Sequence, residues 1–420
     1  MRNQKEIIHK EKAIIHIDGD SFFVACEMLS RPDLAGKAVV TGEERGIASA
    51  MNTEAKRLGV TRGMPVFQIR RDFPQVVILK SHYGLYEQYN HKMLAVAREF
   101  SDNVEDYSID ECFLDVTDEG ETWEDKIAIA KKLKETLQIK LGLTFSLGLA
   151  PTKVLAKVAS KNNKPNGFTA MRADESKEFL AKVDIEDIWG IGYRSAPKLR
   201  SAGIYTALDF VNQSKPWIEK YLSAPQQAIW YELGGKSIME VENKYEQLKS
   251  LQSTRTFPKA SSDREYIFSH LSRNIEIACS RMRHAELYTK RISFFVKNHN
   301  TLKCSWVDVD LREDTNLAHE VISQVREPFE KLLVKGIVYR ATGVTCHGLK
   351  RKSDIPQSLF GESFGREELY EAMDSVTEKF GDNSILLASS MNAVKSFQDG
   401  NKSKILTRQK LFSIPFLGEI

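Results

Sequence analysis

The sequence predicts a multidomain α+β protein, and three observations lead there. A chain of 420 residues exceeds the usual span of one domain, so several separate cores are expected. Strand-like apolar runs alternate with helical periodicity over roughly the first 170 residues, the pattern of a mixed sheet and helix unit. Short helices punctuated by glycine follow over 175–240, and a strand and helix mixture returns over 253–350.

Element by element, "AIIHID" (13–18) reads as a buried strand, and "DSFFVACEML" as a helix with Asp20 or Ser21 available as its N-terminal cap. "KAVVTG" and "GIASAM" read as a short hairpin, and "NTEAKRLGV" as a short helix stopped by Gly59. "VVILK" is a strand and 83–100 a helix. "NVEDYSIDECFLDVT" divides into two strand-like halves around "SIDE", before an amphipathic helix over 122–140 and the strand "LTFSLGLA". The polar stretch 241–252 suits a linker. "KRISFFVKN", "KCSWVDVDL" and "IVYRATGVTCHGL" are strands of the fourth region. Beyond Lys350 the chain is turn-rich, with one helix expected over 367–380 and no evident periodicity in the tail "DGNKSKILTRQKLFSIPFLGEI".

Bulk charge decides little: 60 basic against 57 acidic residues leave a formal net charge of +3, which does not by itself establish a polyanion partner. The five cysteines have no Cys-x-x-Cys spacing, which argues against a structural zinc site and a disulfide framework and suits a reducing compartment. No apolar run approaches the roughly 18 residues of a membrane span. "MRNQKEIIHKEK" lacks a signal-peptide hydrophobic segment, so a cytoplasmic protein with no membrane partner is expected.

"IIHIDGDSFFVACE" places Asp18 and Asp20 in an otherwise apolar run, where a carboxylate must be capped, paired or bound to a cation. Asp18 ends a strand, while Asp110 and Glu111 lie between two strand-like runs. Singly, each is readily a cap, a salt-bridge partner or a turn residue. Together the three would repel one another unless a divalent ion sat among them, and hard oxygen ligands suit magnesium. Adjacent residues on a regular strand face opposite ways, so a shared ion requires a bend near Asp110.

"IDGDSFFVACE", "YSIDECFLDVT", "SLGLAPTKVLAKVASKNNKPNGF" and "IWGIGYRSAPKL" stand in the order and spacing of the DinB/UmuC group of Y-family translesion DNA polymerases, which the chain resembles from about Ile14 to residue 350. The resemblance implies a right-hand polymerase: a ferredoxin-like palm (1–31 and 80–174), small fingers (32–79), a helical helix-hairpin-helix thumb (175–240) and an α/β little-finger domain (253–350) after the linker, with 351–420 as a tail. The implied activity is template-directed, low-fidelity extension of a primer 3′-hydroxyl with dNTPs past damaged template, by two-metal nucleotidyl transfer. No exonuclease-like domain is visible, so proofreading is expected to be absent. A bacterial, nucleoid-associated protein of the damage response is implied.

By the same resemblance Asp18, Asp110 and Glu111 look like the metal-binding catalytic carboxylates for two Mg2+ ions, Gly19 offers only its backbone carbonyl, and Asp20 matches a position beside the metals that is no principal ligand. Phe22 and Phe23 border the nucleotide site, with Phe23 at the steric gate against a 2′-hydroxyl and Phe22 expected in the core. Lys164 resembles the lysine that reaches the triphosphate. Where many DinB-type relatives carry a tyrosine and an arginine against the phosphates, this chain has Thr53 and Lys56, which looks closer to the UmuC-like branch. Ala48 and Ser49 belong to the fingers over the templating pair.

Gly190 and Gly192 lie between two helical segments as in a helix-hairpin-helix, and the resemblance implies a thumb turn whose backbone N–H groups approach a DNA phosphate. Arg255, Arg281, Arg283, Lys290, Arg291 and Lys297 concentrate charge for holding primer–template DNA by its phosphates. In the tail, Gln357, Leu359 and Phe360 of "IPQSLF" resemble a sliding-clamp peg, with "RQKLF" (409–412 from Gln409) as a second candidate. Accessory damage-response subunits are further implied partners, and "FGDNSILLAS" resembles the C-terminal extension of UmuC-like chains. Two competing readings are a DNA-binding scaffold without chemistry and a nucleotide cyclase with a palm-like fold. The intact carboxylates and Lys164 weigh against the first, and the glycine-hairpin thumb and basic fourth region against the second.

Overall fold

The structure, a computed structural model, describes residues 11–243, 248–355, 366–381 and 383–400. Two compact units fall on either side of residues 244 and 245.

In the first unit, β1 (Ile14–Gly19) is the fully buried middle strand that its apolar run predicts. It leads through α1 (Phe22–Met28) into a small three-stranded sheet, in which β2 (Val39–Thr41) pairs antiparallel with β3 (Ala50–Met51), as the expected hairpin requires. α2 (Thr53–Arg57) is capped by Asn52 and ends before Gly59, whose φ of +99° is the left-handed backbone that favours glycine. After α3 (Val66–Asp72), the "VVILK" run supplies β4 (Val77–Leu79), which joins β2 in parallel.

α4 (Tyr83–Ala97), β5 (Val104–Ser108), β6 (Glu111–Asp115), α5 (Trp123–Leu141), β7 (Phe145–Ala150), α6 (Lys153–Asn162) and β8 (Phe168–Ala170) complete a five-stranded sheet of order β5-β6-β1-β7-β8. Alternation along β1 divides its side chains between two cores. Ile15 and Ile17 pack with Leu94 and Leu137 beneath α4 and α5, and Ile14 joins Phe113, Leu155 and Leu199 on the α6 side. α6 lies close on the sheet because Gly148 has no side chain: a Cβ there would stand 2.1 Å from the Ala156 carbonyl oxygen. Short helices α7 (Ser176–Leu180), α8 (Ala196–Ser201), α9 (Ala207–Val211), α10 (Lys215–Tyr221) and α11 (Ala224–Leu233) build the thumb on that second core.

One local expectation fails. Neither Asp20 nor Ser21 caps α1 with its side chain, because Ser21 adopts φ 49° and Asp20 is engaged elsewhere.

The second unit is an antiparallel sheet of order β11-β10-β12-β9, from β9 (Ser250–Ser261), β10 (Leu287–Asn298), β11 (Cys304–Thr315) and β12 (Tyr339–His347). β9 begins at Ser250, inside the stretch 241–252 read as linker. α12 (Arg264–His284) and α13 (Ala318–Leu332) cover one face, burying Ile275, Phe294, Phe329 and Val344 together. The helix expected over 367–380 is α14 (Arg366–Phe380), and a further short amphipathic helix, α15 (Met391–Gly400), follows it where none was expected. Both belong to this unit. Tyr370 and Ala393 are buried, the Ala393 N–H donates to Ser269 Oγ of α12 at 2.8 Å, and the Leu387 N–H donates to Glu276 Oε1 at 2.5 Å. α14, α15 and Leu387 between them thus form a second layer on α12.

Among the described residues no helix is long and apolar enough to cross a membrane. The proposed clamp residues Gln357, Leu359 and Phe360, and the "RQKLF" string, lie outside the described residues.

Candidate active site

The β1–β6 register sets Asp18 opposite Glu111, and the Gly19 N–H donates to the Asp110 carbonyl oxygen at 2.9 Å. The required bend is present: Ile109 and Asp110 form a turn, the β5–β6 register shifts between Asp106 and Ser108, and β6 starts at Glu111. Asp110 therefore escapes the strand alternation that would have turned it away from its neighbour.

Electrostatics mark the cluster as short of positive charge. Burial pushes the Asp18 carboxyl up to about 7, and nearby Glu111 and Asp110 push the same way against Lys164. Asp110 is also raised by burial, while Ser108 Oγ donates to its Oδ1 at 2.7 Å. Glu111 goes the other way: burial opposes ionisation, but His16 and Lys157 outweigh it and hold the carboxyl below the usual range. Lys157 Nζ is 2.7 Å from Glu111 Oε2, and Lys164 Nζ pairs with Asp18 Oδ1. Two lysines thus neutralise two of the three carboxylates. Among the described residues no three His, Cys, Asp or Glu side chains gather into a metal-holding group.

Asp20 has a role that its place in the sequence does not suggest. Its Oδ1 accepts from Ser146 Oγ and its Oδ2 from the Asn166 N–H, both at 2.7 Å. It ties the turn after α6 to the sheet, two residues from Lys164. His16, fully buried behind Glu111, contacts Ser160 Oγ through Nδ1 at 2.7 Å, and burial lowers its imidazole to about 4, so it is neutral.

The adjacent phenylalanines separate. Phe22 is only 3% exposed and belongs to the core, so its ring is not offered to a nucleotide. Phe23 is half-buried and stacks on Tyr86, with Tyr83 edge-on at 5.6 Å between centroids. Tyr86 donates to Glu27 Oε1 at 2.5 Å, and Glu27 also accepts from the His82 N–H at 3.0 Å. Thr53 opens α2 half-buried and Lys56 is exposed on the same helix.

Gly190, with φ +81°, and Gly192 form the thumb turn before α8. A Cβ on Gly190 would meet Ile229 at 2.5 Å, whereas one on Gly192 would meet nothing within 4 Å. Of the basic residues, Lys290 and Arg291 are exposed on β10, with Arg291 near Asp308 at 3.2 Å, and Arg255 is half-buried on β9. Two expected DNA contacts are otherwise engaged. Arg283 holds Asp374 of α14 through Nε and Nη2 at 2.7 and 2.8 Å and donates to the Asn316 carbonyl oxygen, and Arg281 is largely buried with Nη1 on the Gln252 carbonyl oxygen. Both guanidiniums serve the internal packing of this unit.

Comparison with known proteins agrees with this frame. The impB/mucB/samB family matches residues 17–161, its C-terminal domain 248–359, and the HHH motif of the same family 173–204. The DNA polymerase IV of Pasteurella multocida is 33% identical over 248 residues, covering 58% of this chain and 70% of the relative. The chain belongs to the Y family of DNA polymerases, the DinB/UmuC superfamily. Protein UmuC of Salmonella typhimurium is 29% identical over 392 residues, 88% of this chain and 92% of the relative, so both names occur among the family members it resembles. A solved Y-family DNA polymerase chimera of Dbh and Dpo4 superposes with a TM-score of 0.69 at 26% identity, covering 81% of this chain and 99% of the other. The palm, fingers, thumb and little-finger architecture is that of the family.

Proposed function

We propose that this chain is a template-directed, low-fidelity DNA polymerase that extends primers past damaged template with magnesium-dependent two-metal chemistry. The observation that carries the reading is the placing of Asp18, Asp110 and Glu111 at adjoining strand ends, with Asp18 raised by burial beside two further carboxylates that are near it but not gathered into a ligand set. Hard oxygen donors suit a divalent ion, which would draw the three side chains together and relieve the repulsion that now weakens ionisation of Asp18 and Asp110. Asp18, Asp110, Glu111 and the Gly19 carbonyl are the groups to hold it. Bound there, magnesium supplies Lewis acidity for the primer 3′-hydroxyl and offsets charge on the triphosphate.

The remaining roles belong to the side chains. Lys164 exchanges Asp18 for the triphosphate, its turn held in place by Asp20. The Phe23 ring, backed by Tyr86, stands where a 2′-hydroxyl would clash. Thr53 and Lys56 face the phosphates without a phenol or a guanidinium fork, a pair that supports a reading nearer the UmuC-like branch. Gly190, Gly192, Arg255, Lys290 and Arg291 contact the DNA backbone, and Gln357, Leu359 and Phe360 engage a sliding clamp. Primer extension with magnesium on undamaged and abasic templates tests the reading. Wild type should extend both and Glu111→Ala neither, whereas equal extension by the two proteins would remove Glu111 from the chemistry.

A further inference from the structure

Lys157 is a buried cation beside the acidic cluster, and the reading above gives it no part. Its side chain is 9% exposed, with Nζ 2.7 Å from Glu111 Oε2. The same ammonium lies 4.4 Å from the ring centroid of Tyr107 and 5.4 Å from that of Trp189. Those rings meet edge to face at 5.3 Å, and Trp189 also lies 6.0 Å from Phe113. The lysine is therefore boxed between two π-faces and a carboxylate, each of which attracts it. The walls come from different places: Tyr107 is on β5, whereas Trp189 belongs to the thumb turn and immediately precedes Gly190. A second tie joins α6 to that turn, since Lys161 Nζ donates to the Asp187 carbonyl oxygen at 3.1 Å.

We propose that Lys157 is a positioning residue that orients Glu111, and that Trp189 makes this orientation depend on whether the thumb turn holds DNA. The inference rests on the proposed assignment of Asp18, Asp110 and Glu111 to the cation. A phosphate held by the turn at Gly190 and Gly192 fixes Trp189 against Lys157. The closed box then keeps Nζ on Glu111 Oε2, which restrains the carboxylate and leaves Oε1 for the cation. With the turn empty, Trp189 is held by Tyr107 and Phe113 without that support, and Glu111 is restrained less firmly. DNA binding and divalent-ion binding are thereby coupled through one tryptophan, and coupling of this kind acts in both directions.

Trp189→Leu tests this without altering charge, and Trp189→Phe keeps a π-face. Mn2+ affinity is read by the electron paramagnetic resonance of the free ion, with and without a saturating primer–template duplex, and saturation is checked for each variant by fluorescence anisotropy. DNA should tighten Mn2+ binding in wild type and Trp189→Phe by about tenfold more than in Trp189→Leu, the size of effect that residues behind metal ligands exert. The same tightening in all three proteins overturns the coupling while the cation site stands. An affinity unaffected by Asp110→Ala overturns both the cation site and the coupling.

Discussion

Phe23 lies face to face on Tyr86, with ring centroids 4.3 Å apart and planes 9° from parallel. Tyr86 is completely buried and its hydroxyl is bonded to Glu27, so the ring behind Phe23 has one position. A gate works only if it cannot retreat. Phe23→Ala should therefore raise ribonucleotide incorporation relative to deoxyribonucleotide by about 100-fold or more, measured as the ratio of kcat/KM values. Tyr86→Phe keeps the stack but removes a donor from buried Glu27, and should cost about 1–3 kcal/mol in urea unfolding.

Asp20 joins Ser146 and Asn166, both at 2.7 Å, and so holds the turn that carries Lys164. Asp20→Ala should release that turn and weaken nucleotide binding. Steady-state insertion is expected to show the KM for dNTP rising about tenfold, with a smaller change in kcat. An effect confined to kcat would place Asp20 in the chemistry itself.

Arg283 and Asp374 join α14 to α12. Asp374→Ala leaves a largely buried guanidinium short of its partner, at a cost of about 2 kcal/mol. Hydrogen exchange should quicken through α14 and α15 while primer–template affinity stays at the wild-type value. A fall in DNA affinity matching that of Lys290→Ala would return Arg283 to the DNA-contacting set.

Acid should weaken the second unit through His270. Burial lowers this imidazole from 6.5 to about 4 among Phe257, Tyr266 and the Ser396 hydroxyl. Below the ordinary value the unfolded chain takes up a proton that the folded one refuses, so the neutral histidine's contribution is whole above pH 6.5 and is lost as pH falls toward 4. Between pH 6.5 and 5 the loss is about 1.6 kcal/mol, since the full slope of about 1.4 kcal/mol per pH unit is reached only below the ordinary value. His270→Gln should flatten the dependence of unfolding free energy on pH across that interval.

The elements that position the site were legible because local rules governed them. β1 shows as an apolar run interrupted only by His16 and Asp18, α5 carries a Thr122 and Asp125 capping box with Gly142 at its end, and Gly59 stops α2. The choice of Asp18, Asp110 and Glu111 as candidates rests on family resemblance, while the bend that frees Asp110 comes from a register shift that spacing does not reveal. Partnerships across long separations were not legible. Lys157 and Glu111 lie 46 residues apart, Asp20 and Asn166 lie 146 apart, and no periodicity links them. Arg283 read as a surface charge because its partner, Asp374, lies 91 residues later in a region beyond the family resemblance. α15 is amphipathic, burying Ala393 against Ser269 of α12, but its ten residues make fewer than three turns, too few for a helical repeat to stand out in the sequence.

The most direct test is insertion of a single nucleotide opposite each of the four template bases with magnesium, comparing wild type with Asp110→Ala. Wild type should choose the nucleotide by the template, with modest discrimination, and Asp110→Ala should insert at least about 100-fold more slowly. Insertion that ignores the template, or an Asp110→Ala protein as fast as wild type, would contradict the proposed function.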